Sequence, residues 1–250
     1  PWKGGDMAAF GYMVELARGA TDWLSPRMMG LPADVDALLP YWLGAWAIQA
    51  LPFLSAETAV RVPYVLLLAL TLTANWYAAY QLARLPQAQP VSFAFGGEAQ
   101  PLDYARTLAD AALLALIASL GLAQLSHETT PALAALACAA LLAHAVARLA
   151  AGQRREQRAA AVQWALAVWG MAFSGVPLLT AALGLGAAAL LLWLPRDAAA
   201  DAEDATPPRP LLVALALCTV TAAAVGLVVT QVNPFGRYWN PPDQWSDWTS

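Results

Sequence analysis

The sequence predicts an all-α protein: a polytopic bundle of transmembrane helices with a helical juxtamembrane segment on its outer face. Hydrophobic residues make up 60% of the chain and charged residues only 12%, whereas a soluble domain carries about 25% charged residues. Several stretches also have the roughly 20 apolar residues that are needed to cross about 30 Å of hydrocarbon. Too little polar surface remains to cover a globule in water, so most of the chain is predicted to face lipid.

Six spans are predicted from stretches with little or no charge. The stretch 159–195 is uncharged but too long for one span, and Ser-Gly-Val-Pro at 174–177 is predicted to divide it into a helical hairpin. The other four predicted spans are 62–83, 107–126, 129–147 and 211–232.

Segment 38–55 allows two interpretations. It is apolar enough to span, but it is short and carries two prolines. Its Tyr41, Trp42 and Trp46 suit the membrane interface, where amphipathic rings settle. A helix lying along the membrane surface is therefore favoured over a span.

The orientation follows from the arginines and lysines. The turn 153–158 holds the densest group of arginines, and such loops face the cytoplasm. The segments on the outer face are then 1–61, 127–129, 174–177 and 233–250. The predicted organisation is an outer juxtamembrane segment (1–61), a transmembrane bundle (62–232) and the start of an outer loop (233–250).

The chain begins at Pro1 without an initiator methionine and stops in a stretch rich in Trp and Asp. It is therefore predicted to be a piece of a longer protein. No basic patch is present, and this excludes nucleic acid as an expected partner. Cys138 and Cys218 both lie in apolar runs, where free thiols pack as small hydrophobic groups.

The outer segments contain the candidate catalytic carboxylates. Asp6 precedes a short amphipathic helix predicted at 7–17, so it suits an N-cap. It equally suits a carboxylate at a membrane cavity that accepts a proton from an acceptor hydroxyl or amine. Asp34 and Asp36 stand in a stretch of turn composition, and both a turn and a second acidic site remain open for them.

Other polar residues are weaker candidates. The pair His127–Glu128 falls in an outer turn, where a polar loop that anchors two spans is favoured over a catalytic dyad. His144 is predicted to be a packed or interfacial histidine, and Asp110 is assigned no role. The aromatic residues of 233–250 suit either stacking on sugar rings or anchoring at the membrane surface.

Several motifs in order resemble the GT-C superfamily of membrane glycosyltransferases. Asp6 is followed by Thr-Asp-Trp-Leu-Ser-Pro at 21–26, Tyr-Trp at 41–42 and Ala-Val-Arg-Val-Pro at 59–63, and Gly-Met-Ala-Phe-Ser-Gly-Val-Pro occupies 170–177. The groups that it resembles are the dolichyl-phosphate-mannose–protein mannosyltransferase-like enzymes and the bacterial lipid A aminoarabinose transferases. Most of the chain is covered by the resemblance.

The resemblance implies an inverting-type glycosyltransferase of the bacterial inner membrane with a periplasmic active face. It would move a sugar from a polyprenyl-phosphate-linked donor to a lipid, glycan or protein acceptor. Asp6 would then be the general base, and Asp34 or Asp36 would occupy the second acidic position. No cofactor is implied. A divalent metal is compatible with the carboxylates, but no spacing requires one.

Two cation positions differ from the pattern of these enzymes. The Glu-Lys-Pro-Pro of the lipid A enzymes is replaced by Val-Asp-Ala-Leu at 35–38, and the outer turn has no lysine. The donor phosphate is therefore assigned to other cations: Lys3, Arg27, Arg61 and Arg237. Candidate substrate contacts are His127, Glu128, Tyr41 and Trp42.

Two other functions compete with transfer. A transporter or flippase of a lipid-linked or amphipathic solute is the main alternative, and a scaffold without catalysis is the second. Transporters place ionisable groups near the middle of the membrane. The predicted spans here are nearly free of charge at their centres, which favours chemistry at the surface.

Overall fold

The computed structural model confirms that the protein is mostly helical. It describes residues 4–33, 37–90, 99–125, 127–152, 154–193 and 207–230. The helices are α1 (Gly4–Ala17), α2 (Leu39–Ala50), α3 (Ala56–Ala83), α4 (Pro101–Ile117), α5 (Leu120–Leu125), α6 (Pro131–Ala150), α7 (Arg154–Phe173), α8 (Pro177–Trp193) and α9 (Arg209–Val229). A short antiparallel hairpin of β1 (Arg27–Met28) and β2 (Leu31–Pro32) stands between α1 and α2, and a 3₁₀ turn (Pro86–Ala88) follows α3.

Three of the described helices, α3, α6 and α9, are long and apolar enough to cross a membrane. They coincide with three of the predicted spans. Helix α3 begins at Ala56, inside the predicted outer segment 1–61, where the Ser55 hydroxyl accepts a hydrogen bond from the Thr58 amide at 3.4 Å. At 28 residues this helix is about 42 Å long, so it extends beyond the thickness of the hydrocarbon.

The prediction of one continuous span at 107–126 was wrong. Helix α4 ends at Ile117 and α5 begins at Leu120. The hydroxyl of Ser119 causes the break, because it donates to the Leu116 carbonyl at 2.7 Å and accepts from the Leu122 amide at 3.3 Å. Serine favours helix ends for this reason.

The predicted helical hairpin of 159–195 is confirmed as α7 and α8. Gly175 has a φ of +85°, a left-handed conformation that commonly ends helices and that glycine adopts without strain. Pro177 then takes the first position of α8, where a missing amide hydrogen costs nothing.

The core of the bundle lies between α6, α7, α8 and α9. Trp164 of α7 is fully buried there, and its indole nitrogen donates to the Thr219 hydroxyl of α9 at 3.1 Å. Gln163 joins α7 to α6 through the Leu141 carbonyl at 2.9 Å and the Nδ1 of His144 at 3.0 Å. His144 is therefore a packed histidine, as predicted.

A second core joins one end of the bundle to a cap formed by residues 4–33 and 37–55. The cap contains α1, the hairpin and α2, and α2 is only 12 residues long, about 18 Å, which is too short to span. The Leu38 amide donates to the Phe173 carbonyl of α7 at 2.8 Å, and the Tyr64 hydroxyl of α3 donates to the Pro40 carbonyl at 3.3 Å. These bonds fix the cap on the ends of α3 and α7.

Replacing Gly226 with Ala is expected to destabilise the bundle by about 1–3 kcal/mol, the usual cost of overpacking. A Cβ at this position of α9 would lie 2.9 Å from the Cβ of Ala172 and 3.2 Å from that of Pro177. Neither neighbour can rotate away, so α9 must shift. The free energy of unfolding, measured by titration with SDS in mixed micelles, reports the loss.

Gly186→Ala is the matched control, because nothing lies within 4 Å of a Cβ built at Gly186 on α8. Removing this glycine from a helix interior is expected to add up to about 1 kcal/mol of stability. Equal unfolding midpoints for the two variants would contradict the close packing of α9 against α7 and α8.

Candidate active site at the capped end of the bundle

Asp6 is a buried carboxylate in the first described turn of α1. Only 4% of its surface is exposed. One carboxylate oxygen accepts two hydrogen bonds from Thr129, at 2.7 Å from the amide and at 2.6 Å from the hydroxyl. The prediction that Asp6 is the N-cap of a helix at 7–17 was wrong, because Gly4 and Gly5 precede it within α1.

The position of Thr129 explains why a carboxylate is stable there. Thr129 stands directly before Thr130 and Pro131, where α6 begins. Amide groups at a helix start are without intrahelical acceptors, and the positive end of the helix dipole favours an anion. Asp6 thus bonds to the residue directly before the N-cap of a different helix from the one that contains it.

Asp6 opens onto a cleft between α1, α3 and the turn before α6. Arg61, His127 and Glu57 are exposed at this cleft, so three of the residues predicted from the sequence, Asp6, Arg61 and His127, meet in one place. The complete lining is Asp6, Phe10, Glu57, Val60, Arg61, His127 and Thr129. The cleft therefore combines a buried acid with two exposed groups able to bind an anion.

Glu57 and Thr129 are site residues that the sequence interpretation missed. Glu57 stands four residues before Arg61, so both project from the same face of α3. Once Arg61 is assigned to the donor phosphate, this spacing identifies Glu57 as a neighbour in the same site. Thr129 carries no comparable signal, because its role depends on a residue far away in the chain.

Glu128 does not line the cleft beside its neighbour His127. It is half-buried, and its carboxylate accepts a hydrogen bond from the side chain of Gln124 at 3.3 Å. This contact ties the turn to α5, as expected of a polar loop between two helices. The structure thus brings His127 into the candidate site and leaves Glu128 outside it.

An apolar cavity of about 250 Å³ lies beside the same turns of α1 as the cleft, and the two share no lining residue. Gly5 and Thr130, the chain neighbours of Asp6 and Thr129, line it together with Tyr12 and Tyr41. The remaining walls are Ala8 and Ala9 of α1, Pro131, Ala132 and Ala135 of α6, and the turn from Ser174 to Val176. Within the described structure the Thr130 hydroxyl is buried and has no hydrogen-bond partner.

The two aromatic candidates have different environments. Tyr41 is buried with its ring centroid 5.4 Å from that of Tyr12, so it forms part of the cavity wall. Trp42 points its indole nitrogen at the Trp23 carbonyl, 2.8 Å away, and its ring lies 6.0 Å from that of Phe173. Trp42 therefore packs the cap together and lines neither the cleft nor the cavity.

Arg27, the other predicted cation among the described residues, does not line the cleft. Arg27 lines two crevices beside the hairpin instead. Four candidates lie outside the described residues: Lys3, Asp34, Asp36 and Arg237. Among the residues that are described, no group of three His, Cys, Asp or Glu side chains is placed to hold a metal ion.

Comparison with protein-family models, with curated proteins and with solved structures finds no match to this chain. The chemistry of the cleft is therefore inferred from its own residues, from the nearby cavity and from their place at the end of an apolar bundle.

Proposed function

We propose that this protein is a polytopic membrane glycosyltransferase of the GT-C type. It moves a sugar from a polyprenyl-phosphate-linked donor to a lipid, glycan or protein acceptor on the periplasmic face of a bacterial inner membrane. The observation that carries the proposal is the buried carboxylate of Asp6, which opens onto a cleft with Arg61 and His127. An apolar cavity lies beside the same turns of α1, and the combination suits a substrate with a phosphate, a sugar and a lipid tail.

The arrangement of helix ends supports the proposed sidedness. Five helix ends lie together at the capped end of the bundle: the starts of α3, α6 and α8 and the ends of α7 and α9. Residues at or directly beside these ends bond to the cap, line the cleft or the cavity, or line the crevice between the hairpin and α9. Arg148 and Arg158 lie at the ends of α6 and α7 that are remote from the cap. Arginines concentrate on the cytoplasmic side of membrane proteins, so the capped end is assigned to the periplasm.

The proposed reaction uses the groups of the cleft directly. Asp6 accepts the proton of the acceptor hydroxyl or amine while the acceptor atom bonds to the anomeric carbon of the sugar. The bond between that carbon and the phosphate oxygen breaks on the opposite face, and polyprenyl phosphate leaves with both electrons. Arg61 pairs with the phosphate, because a guanidinium donates parallel hydrogen bonds to two oxygens.

The positions of the charged groups favour transfer over transport. The cleft lies at the end of the bundle, in the first turns of α1 and α3 and in the turn before α6. A transporter places its ionisable groups near the middle of the membrane. The helices α6 and α9 carry their described arginines only in a terminal turn.

The proposal is tested by incubating the purified protein with a polyprenyl-phosphate sugar and measuring the release of polyprenyl phosphate. Arg61→Gln removes the charge that faces the leaving phosphate. Loss of a hydrogen bond to a charged group costs about 1.5–3 kcal/mol, so kcat/KM is expected to fall about 10- to 100-fold.

Arg106→Gln serves as the control, because Arg106 is exposed on α4 and pairs with Asp103 at 3.5 Å, away from the cleft. Its release rate is expected to match that of the native protein. Equal rates for the two variants would remove Arg61 from the site. Movement of the labelled donor across liposomes without any release of phosphate would favour a flippase.

A further inference from the structure

The turn between β1 and β2 has an unusual residue at its apex. Met29 and Gly30 have φ angles of +53° and +84°, as in the two-residue turns that normally contain Asn-Gly. Methionine is unfavourable in this left-handed region. Its side chain is nevertheless 92% exposed, so neither the turn geometry nor packing within the described protein explains an apolar residue at this position.

Met29 belongs to a group of exposed apolar side chains around the hairpin. Leu31, next to the turn, is 66% exposed, and Leu24, before β1, is 59% exposed. Single exposed apolar residues are normal on protein surfaces, but a contiguous group indicates a binding surface. We name Met29 and Leu31, at and beside the turn, the hairpin tip; Leu24 lies at the base of the hairpin.

The base of the hairpin packs against the end of a candidate transmembrane helix. Leu24 and Pro32 line the same crevice as Val229 and Thr230 at the end of α9. The hairpin is only two residue pairs long, so its apex lies within about 10 Å of this crevice. The hairpin tip is therefore close to the level at which α9 ends.

The outward face of α9 is also apolar. Val213, Leu217, Val220 and Val228 are exposed, and their spacing places them along one side of the helix. An apolar helical stripe of this kind faces lipid in a membrane-spanning helix. The stripe ends at Val228, directly before the two residues at the end of α9 that line the crevice at the base of the hairpin. The bilayer surface at the end of α9 is therefore at the level of the hairpin.

Aromatic contacts and hydrogen bonds hold the hairpin region in place. Trp23 stacks on Trp46 with ring centroids 6.2 Å apart, and Trp46 in turn lies 6.1 Å from Trp42. The Tyr12 hydroxyl donates to the Pro32 carbonyl at 3.0 Å, which joins β2 to α1. The hairpin tip is thus presented by a fixed support.

We propose that the hairpin tip inserts into the bilayer at the surface where α9 ends and holds the cap against the membrane. The charged side chains that share a crevice with Met29 are Glu15, Asp22 and Arg27, two acids and one base, which do not favour anionic lipid. Insertion is therefore driven by apolar contact and does not require anionic lipid.

The test places a single cysteine at the tip and attaches an environment-sensitive fluorophore. Met29→Cys is made in a background with Cys138→Ala and Cys218→Ala, and the protein is reconstituted in phosphatidylcholine liposomes. Arg18→Cys, at an exposed site that follows α1, is the matched control. The probe at position 29 is expected to emit at shorter wavelength than the probe at position 18 and to be quenched by lipids with a doxyl group near the headgroup.

Before the fluorophore is attached, the two variants are compared in their reaction with a water-soluble maleimide. The thiol at position 29 is expected to react about tenfold more slowly than the thiol at position 18. Transfer of an apolar side chain from water to lipid favours the inserted state by about a factor of ten or more, so the thiol is exposed to the reagent for a small fraction of the time. The slow labelling and the quenching should both persist in equimolar phosphatidylcholine and phosphatidylglycerol. If substitution at 29 disturbs the turn, Leu31→Cys provides the same measurement one position outside it.

Three outcomes would overturn the proposal. Equal labelling rates at positions 18 and 29 would show that the tip faces water. Slow labelling without quenching by doxyl lipids would show that protein covers the tip, either another part of this chain or a second copy. Quenching that appears only with phosphatidylglycerol would show an electrostatic attachment instead of apolar insertion.

Discussion

In the Asp6→Asn protein, sugar transfer is expected to fall by about 10²–10⁴-fold, the usual contribution of a general base. The amide has the size of the carboxylate, and its oxygen can still accept both hydrogen bonds from Thr129. It cannot accept a proton from the acceptor. The measurement is the rate of polyprenyl phosphate release at a saturating donor concentration, so that a change in donor binding does not contribute.

Asp110→Asn is the matched control for this substitution. Asp110 is exposed on α4 and accepts a hydrogen bond from the Trp76 indole at 2.8 Å, outside the cleft. Its variant is expected to turn over at the native rate. Both variants should elute from gel filtration as the native protein does. A folded Asp6→Asn protein with near-native turnover would exclude Asp6 as the base and leave it as a structural partner of Thr129.

The largest loss of stability is expected for Trp164→Ala, at about 3–5 kcal/mol. The Trp164 side chain of α7 is fully buried in the core of the bundle, against α9. Its removal leaves a cavity, and the surrounding helices cannot move in to fill it because they pack against one another. The Thr219 hydroxyl also loses the indole as a donor, although it still donates to the Leu215 carbonyl at 2.9 Å. Unfolding by SDS in mixed micelles gives the free energy change.

Trp193→Ala makes the same chemical change on a side chain that is 89% exposed at the end of α8. It is expected to alter the free energy of unfolding by less than about 0.5 kcal/mol. Trp164→Phe, which keeps most of the ring volume, should lie between the two alanine variants. If both alanine variants unfold at the same SDS fraction, Trp164 does not pack in the core of the bundle.

Local signals made parts of the fold predictable from the sequence. The α7–α8 hairpin follows from a glycine and a proline inside a long apolar run, and both residues act within one turn of chain. The break between α4 and α5 was missed because Ser119 is a single small polar residue in an apolar stretch. Serine is tolerated in many such stretches, so composition alone does not reveal when its hydroxyl replaces a backbone hydrogen bond.

The sequence predicted which kinds of residue form the site, but it did not predict all of the contacts between them. Asp6 and Arg61 were chosen from motifs, and they share the cleft. The partner of Asp6 was missed because an acid near the start of a helix has the same sequence signature whether it caps its own helix or bonds to a distant turn. The hairpin was missed for a different reason: its turn lacks the Asn-Gly pair that usually reveals such turns.

The bond between Asp6 and Thr129 joins residues 123 positions apart in the chain. At translation rates of about 5–20 residues per second, Thr129 emerges roughly 6–25 s after Asp6. During this interval the carboxylate cannot form its two bonds to Thr129. The cleft therefore forms only after the first half of the bundle has been synthesised.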